Sequence, residues 1–365
     1  MAAFNLNGID FEGISTDLPR LTELARWLGN IVAERPVKLT VASADASFRS
    51  YYRAHTATNS YIVMDAPPPQ EDTRPFNRLA LALKAHDVAV PEVHGWEPES
   101  GFMLLEDFGS TTLLSSLDSG DDQPLNAVSL SHYKRALEQL AGMQAEADGA
   151  MCPDYDGAFL RQEMELFRPW LLHRHLNLSW SLQDEKEWAR LTSQLVDDAL
   201  SQPRVFVHRD FHSRNLMVPE SKGVSASSAP ETEPLGLLDF QDAMHGPLLY
   251  DVVSLLKDCY IRLHPDDLEE LFAYYLTLAS ESGFQLNEED ARRQFHAMGI
   301  QRHLKVGGIF ARLWHRDGKD GYLNDIPRTL AYVVKATKGV ERYNWLAQLL
   351  TERILPRLNA GSADL

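Results

Sequence analysis

Cysteine is almost absent from this sequence. The 365 residues hold two, Cys152 and Cys259, too far apart to form a CxxC zinc or redox motif. They read as reduced thiols, and a chain of this length buries about 75% of its unfolded surface without disulfide staples. No stretch reaches about 18 uninterrupted apolar residues; the most apolar segment, residues 248–263, is broken by Asp251 and Lys257. The opening MAAFNLNGIDFEG lacks the basic start and apolar core of a signal peptide. The expectation is a soluble protein in a reducing compartment, the cytoplasm. Basic charge is also scarce: 35 Lys and Arg stand against 52 Asp and Glu, a formal net charge of −17. With no long Lys/Arg run to segregate positive charge, nucleic acid and membrane surfaces are excluded as general partners. Four familiar signatures are missing too: the GxxxxGK[ST] phosphate loop, the GxGxxG dinucleotide fingerprint, HExxH and the GxSxG nucleophile elbow.

What is present is ordered along the chain. A capped amphipathic segment at 16–33, with Thr16 or Asp17 as N-cap, precedes β-branched and aromatic runs at 37–42, 48–55 and 60–64. The third run stops at Asp65-Ala66-Pro67-Pro68-Pro69, where proline forbids a strand. A helical pattern at 76–84 and two further strands at 93–96 and 101–108 complete a compact β-β-β-α-β-β lobe. Helices then dominate, at 129–146, 158–175, 185–200, 268–280, 290–310 and 327–355. Short buried strands at 205–208, 216–218 and 235–238 interrupt them, and 219–234, with little to bury, reads as a surface loop. The fold class expected is α+β with two lobes, 1–108 and 109–365.

The chemistry concentrates in HRDFHSRN, residues 208–215, followed by LDFQD, residues 238–242 with Leu237 ahead. An Asp, an Asn five residues on, and an Asp ending a later strand are what phosphoryl transfer needs. Asp210 can accept the proton of an attacking hydroxyl, while Asn215 and Asp239 offer hard oxygen ligands to Mg²⁺ on the phosphates of ATP. His208 would orient the loop. A rival reading takes His208, Asp210 and His212 as an HxDxH metal cluster of a hydrolase, but it leaves Asn215 and LDFQD without a role.

HRDFHSRN with LDFQD resembles the HxDxxxxN and DFG elements of the protein-kinase-like superfamily, in its small-molecule phosphotransferase branch. Added to ASADASFRSYYR, IVMDAPPPQEDTRPF, GFMLLEDFG, LDFQDAMHGPLLYDVVSLLKDCY and QRHLKVGGIFARLWHRDGKDGYL, the pattern is similar to the bacterial anomeric kinases of N-acetylmuramate and N-acetylglucosamine, within the aminoglycoside-phosphotransferase-like family. The resemblance implies a two-lobed kinase fold and ATP-dependent phosphorylation of the sugar's C1 hydroxyl. It also implies a functional link to a nucleotidyltransferase that consumes the sugar 1-phosphate in cell-wall recycling. A monomer is expected.

The sequence departs from the kinase pattern in three places. Small residues replace the glycine-rich loop, so Ser43, Ala44, Asp45, Ala46, Ser47, Phe48 and Arg49 are the expected cover of ATP. The lysine of the third strand is absent from Ile62-Val63-Met64, and the helix at 74–86 holds no acid to pair with it; Arg49 or Arg53 is the replacement cation. Gln241 stands where the DFG glycine would be. Backbone groups of Glu106 and Phe108 in the connector, with Ile62 and Met64 as wall, are expected to take the adenine. Asp251 opens a helix and, by resemblance, holds the catalytic-loop backbone.

For the acceptor the pool is His212, Asp242, Arg168, Trp170, Arg302, Lys305 and Arg312, with Gln301, Trp314 and Arg316 beside them. Sugars stack on aromatic faces, and a muramate carboxylate suits an arginine. The spacing of 301, 305, 312 and 316 also fits a solvated helix face. Two alternatives remain open: a kinase of an aminoglycoside, choline or homoserine, and a silent nucleotide-binding scaffold.

Overall fold

The computed structural model describes residues 4–6, 8–14, 18–32, 34, 36–44, 48–118, 120–219 and 233–361. It has two compact units, Met1–Ser110 with Gly236–Gln241, and Thr111–Leu235 with Asp242–Leu365. The first carries a seven-stranded sheet. Its strands are β1 (Phe4–Leu6), β2 (Ile9–Glu12), β3 (Lys38–Ala44), β4 (Ser50–His55), β5 (Ser60–Asp65), β6 (Val93–Glu97) and β7 (Phe102–Glu106), in the order β1-β2-β3-β4-β5-β7-β6. Only β2 and β3 run parallel.

Helix α1 (Leu18–Ile31) places Leu21, Leu24, Ala25 and Leu28 on one stripe, the i, i+3, i+4, i+7 spacing of a core-facing helix. That stripe buries against Leu39, Ala54, Val63 and Leu104 of the sheet. Because strand side chains alternate, Val63 in this core puts its neighbours Ile62 and Met64 on the opposite face. Helix α2 (Arg74–Lys84) buries Phe76, Leu79, Ala80 and Leu83.

Two strands of this sheet escaped the sequence reading. β1 and β2 are three and four residues long and turn about Gly8, whose φ of 80° needs glycine. The Asn7-Gly8 dipeptide between alternating residues is the signal that marks them. Ser43 and Ala44 also differ from expectation. They continue β3 past a bulge and pair with Tyr51 and Ser50, because alanine and serine do not interrupt a ladder as glycine or proline would. Asp45, Ala46 and Ser47 lie outside the described residues, as do Thr16, Asp17 and residues 220–232 of the expected loop.

The second unit is helical: α3 (Ala127–Glu146), α4 (Gly157–Met164), α5 (Leu182–Leu200), α6 (Tyr250–Leu256), α7 (Pro265–Glu281), α8 (Glu288–Asp317), α9 (Ile326–Thr337), α10 (Asn344–Gln348) and α11 (Leu355–Gly361). Strand β8 (Arg204–Val207) pairs antiparallel with β11 (Met244–Pro247), while β9 (Leu216–Met217) and β10 (Gly236–Leu237) are two residues each. The MHGP of β11 was not expected as strand, since Gly and Pro read as a turn. The helix expected at 158–175 instead ends at Met164 and continues as a π-helix, Phe167–His175. Pro169 has no N–H for the regular ladder, and the wider turn accommodates it. The helix expected at 327–355 breaks after α9 at Gly339, which sits at φ 74°.

Helix α8 organises this unit. It is capped by Asn287 and stopped by left-handed Gly318, and it is buried on every side from Ala297 to Gly308. Its polar residues Gln301, Arg302 and Lys305 are therefore interior, not a solvated face. No helix among the described residues is long and apolar enough to cross a membrane.

Candidate active site

The segment after β8 is held from three sides. The Asp251 carboxylate, at the start of α6, accepts the backbone amides of His208 at 2.7 Å and Arg209 at 3.0 Å. Burial pushes its pKa up to about 7, against the pull of those two amides. Just beyond α6, Asp258 accepts the Ser213 amide at 2.9 Å and its hydroxyl at 2.5 Å. From α8, Arg302 donates to the Arg209 carbonyl at 3.0 Å. Inside the loop, His208 Nδ1 accepts the Asp210 amide at 3.2 Å, and Asn215 Nδ2 donates to the Asp210 carbonyl at 2.9 Å. Arg209 sits at φ 76°, a strained conformation for a side chain of its size, so these bonds fix a shape the loop would not adopt alone.

The loop presents Asp210 with its carboxylate 40% exposed. Arg302, 4% exposed, lies 3.9 Å away. Burial alone would raise the carboxyl's pKa, but Lys305 and Arg302 foremost, then His212 and Arg209, hold it well below the usual range. It is ionised at any physiological pH. These buried cations are balanced by Glu163 on α4, which accepts Arg209 at 2.7 Å, Lys305 at 2.9 Å and the Tyr155 hydroxyl. Burial pushes Glu163 up, yet Lys305 and Arg209 bring it below its ordinary value. The Tyr250 hydroxyl receives Lys305 at 2.9 Å and Arg302 at 3.2 Å. Glu163, Tyr250 and Asp258 were not among the sequence candidates.

His212 is edge-on to Tyr260, ring centres 5.2 Å apart, and its Nδ1 has no partner among the described residues. Burial lowers its pKa. The HxDxH metal reading fails on geometry. His208 Nδ1 is spent on the loop amide, and among the described residues no group of three His, Cys, Asp or Glu could hold a metal.

In the first unit, Asp239 follows β10 at φ 65°, and its Oδ1 accepts Gln241 Nε2 at 2.6 Å. The residue in place of the DFG glycine is thus a tether for Asp239. The Asn215 amide nitrogen is engaged by the Asp210 carbonyl. Both side chains offer hard oxygen atoms of the kind Mg²⁺ takes. Arg53 donates twice to Asp107, at 2.7 and 3.1 Å, and to the Gly109 carbonyl at 2.7 Å. It is thereby committed to the connector, whereas Arg49 pairs with Glu71 at 3.0 Å. Phe48 is 70% exposed. Of the two connector residues expected at the adenine, Glu106 has its amide already bonded to the Glu92 carbonyl at 2.9 Å. Met64 is buried and Ile62 half-buried, paired with Met103 and Leu105.

The remaining acceptor candidates divide. Arg302 and Lys305 join Asp210, as described. Asp242 is exposed and serves through its carbonyl, which accepts Arg209 at 3.2 Å. Arg168 is paired with Glu165 and Glu185, and Trp170 lies under Arg174. Neither touches the loop through these contacts. Arg312 has no ion-pair partner among the described residues.

An ionised Asp beside an Asn on a braced loop, in a helical unit preceded by a β-rich one, defines a kinase-like phosphotransferase. Residues 38–292 match the phosphotransferase enzyme family (APH), and the chain belongs to that family. The N-acetylmuramate/N-acetylglucosamine kinase of Pseudomonas aeruginosa is 40% identical over 347 residues, 92% of this chain and 97% of that protein. The protein of the same description from Neisseria meningitidis is 36% identical over 340 residues, again 92% and 97%. Among solved structures, an ADP-bound aminoglycoside phosphotransferase is similar with a TM-score of 0.57 at 12% identity, covering 88% of this chain and 99% of that one. A choline/ethanolamine kinase family protein from Mesorhizobium loti gives 0.57 at 13% identity, covering 94% and 100%. These two share the protein-kinase-like α+β fold.

Proposed function

We propose that this phosphotransferase moves the γ-phosphoryl group of ATP to the anomeric C1 hydroxyl of N-acetylmuramate and N-acetylglucosamine. The observation that carries the reading is similarity along nearly the whole chain to relatives named for those two sugars. The site chemistry supports it. A carboxylate held as firmly ionised as Asp210 is a weak base. It suits an acceptor more acidic than an ordinary alcohol, and an anomeric hydroxyl is one. In a loose phosphoryl-transfer transition state little deprotonation is needed early, so Asp210 acts chiefly by orienting the hydroxyl and receiving its proton late.

Asn215 and Asp239 would hold Mg²⁺, which supplies charge neutralisation at the phosphate oxygens when bound. Asp251, Asp258 and Arg302 keep the loop in the shape that presents Asp210. Arg49, steadied by Glu71, replaces the missing strand lysine at the phosphates, and the Phe108 amide takes the adenine edge. The two cysteines, free and buried, suit a reducing compartment such as the cytoplasm.

The test is direct. With ATP and Mg²⁺, free N-acetylglucosamine and N-acetylmuramate should both release ADP. The methyl glycoside of N-acetylglucosamine, whose C1 oxygen is capped, should be inert. Turnover of the glycoside at the rate of the free sugar would move the reaction to another hydroxyl.

A further inference from the structure

Arg312 lies on α8 seven residues after Lys305 and ten after Arg302, a spacing that sets the three along one side of the helix. The first two face Asp210. Arg312 is two turns further, about 10 Å along the axis. Its guanidinium makes no hydrogen bond or ion pair within the described residues, and its Nε is buried without a partner. The acid whose charge reaches it, Asp317, is taken by Arg316 through contacts of 2.7 and 2.9 Å. Burial and the neighbouring Arg316 both disfavour its charge. A half-buried guanidinium with no counter-ion on the protein is free to take an anion from solution.

The two acceptor sugars differ in one ionised group: muramate carries a lactyl carboxylate on O3, and glucosamine does not. We infer that Arg312 receives the lactyl carboxylate of N-acetylmuramate while Asp210 receives its C1 hydroxyl. Two helical turns leave room for a pyranose ring and the reach of an arginine, whose planar fork matches a carboxylate. The inference rests on the two-sugar reading above. It makes Arg312 the residue that sets the preference between the sugars.

Kinetics on Arg312→Gln and on a neutral substrate test it. In the variant, kcat/KM for N-acetylmuramate relative to N-acetylglucosamine should fall roughly 10- to 100-fold, the range for a charge-assisted pair, and KM should carry the change. Arg312→Lys should recover part of it. Wild-type enzyme should disfavour N-acetylmuramate methyl ester against the free acid by a similar factor, and the variant should treat the two alike. The ester comparison decides even if the variant fails to fold. An unchanged sugar ratio, or wild-type indifference to esterification, would overturn the inference and leave the two-sugar reading intact. Wild-type turnover of neither sugar would overturn both.

Discussion

Arg49 and Glu71 form an ion pair 3.0 Å long in which each side chain is only 12% exposed. Arg49 stands two residues before Tyr51, the cross-strand neighbour of Met64, and Met64 is where the kinase pattern has lysine. Glu71 stands three residues ahead of α2, the helix that otherwise supplies the lysine's glutamate, and also accepts the Phe48 amide at 3.2 Å. On the function proposed above, this pair stands in for the strand lysine and its glutamate, each displaced by a few residues. Arg49→Gln should raise the KM for ATP roughly 10- to 100-fold, with less effect on the KM of the sugar. Glu71→Gln should act in the same direction but more weakly, because it steadies the arginine without touching nucleotide. Steady-state kinetics with either substrate varied checks both.

Asp210→Asn keeps the size of the side chain and removes its charge. Turnover should drop roughly 10²- to 10⁴-fold, the range for a lost general base, with nucleotide affinity nearly kept. Rapid-quench turnover and ATP titration measure the two separately, and unchanged turnover would remove Asp210 from the mechanism.

Asp239→Ala should abolish the Mg²⁺-dependent part of ATP binding in calorimetry. Gln241→Ala leaves the carboxylate but cuts its 2.6 Å tether. It should weaken Mg²⁺-dependent binding without abolishing it. Equal metal dependence in wild type and Asp239→Ala would end the ligand assignment.

Lys257 is buried with its ammonium 3.8 Å over the Phe295 ring, donating to the Phe295 carbonyl at 3.1 Å, and none of the described carboxylates pairs with it. Burial, with Lys335 adding to it, pushes its pKa down to about 7, from 10.5 for a free lysine. Between these values the unfolded chain binds the extra proton, so stability rises with pH from about 7 to 10.5 on this account. The penalty is complete below pH 7. Lys257→Met should therefore raise Tm most near pH 6, and its advantage should shrink steadily toward pH 10. A pH-independent difference would contradict the assignment.

The catalytic loop and LDFQD were legible in the sequence because the chemistry fixes their residues at short, local spacing. The role of Asp251, distant in sequence from the loop it holds, came from the resemblance to kinase folds and not from spacing. Glu163 was not: it reaches Arg209 and Lys305 only once α4 lies beside α8, and nothing local at position 163 announces that. Arg302 and Lys305 were visible as cations, but Lys305 fell on a spacing, with 301, 312 and 316, that also fits a solvated face. Amphipathic reasoning has no purchase on a helix buried all round, as α8 is from Ala297 to Gly308. The sheet was read through five strands and missed its first hairpin, whose strands are only three and four residues long. At Phe167–His175 the apolar spacing was right, but Pro169 made a different helix of it.

The central claim is the position of the transferred phosphate, and ³¹P NMR of the product tests it most directly. Incubated with ATP and Mg²⁺ against N-acetylmuramate, N-acetylglucosamine, kanamycin, choline and homoserine, the protein should give an acid-labile phosphate coupled to the anomeric proton with the two N-acetyl sugars alone. An acid-stable phosphate on kanamycin, choline or homoserine, with none on the sugars, would contradict it.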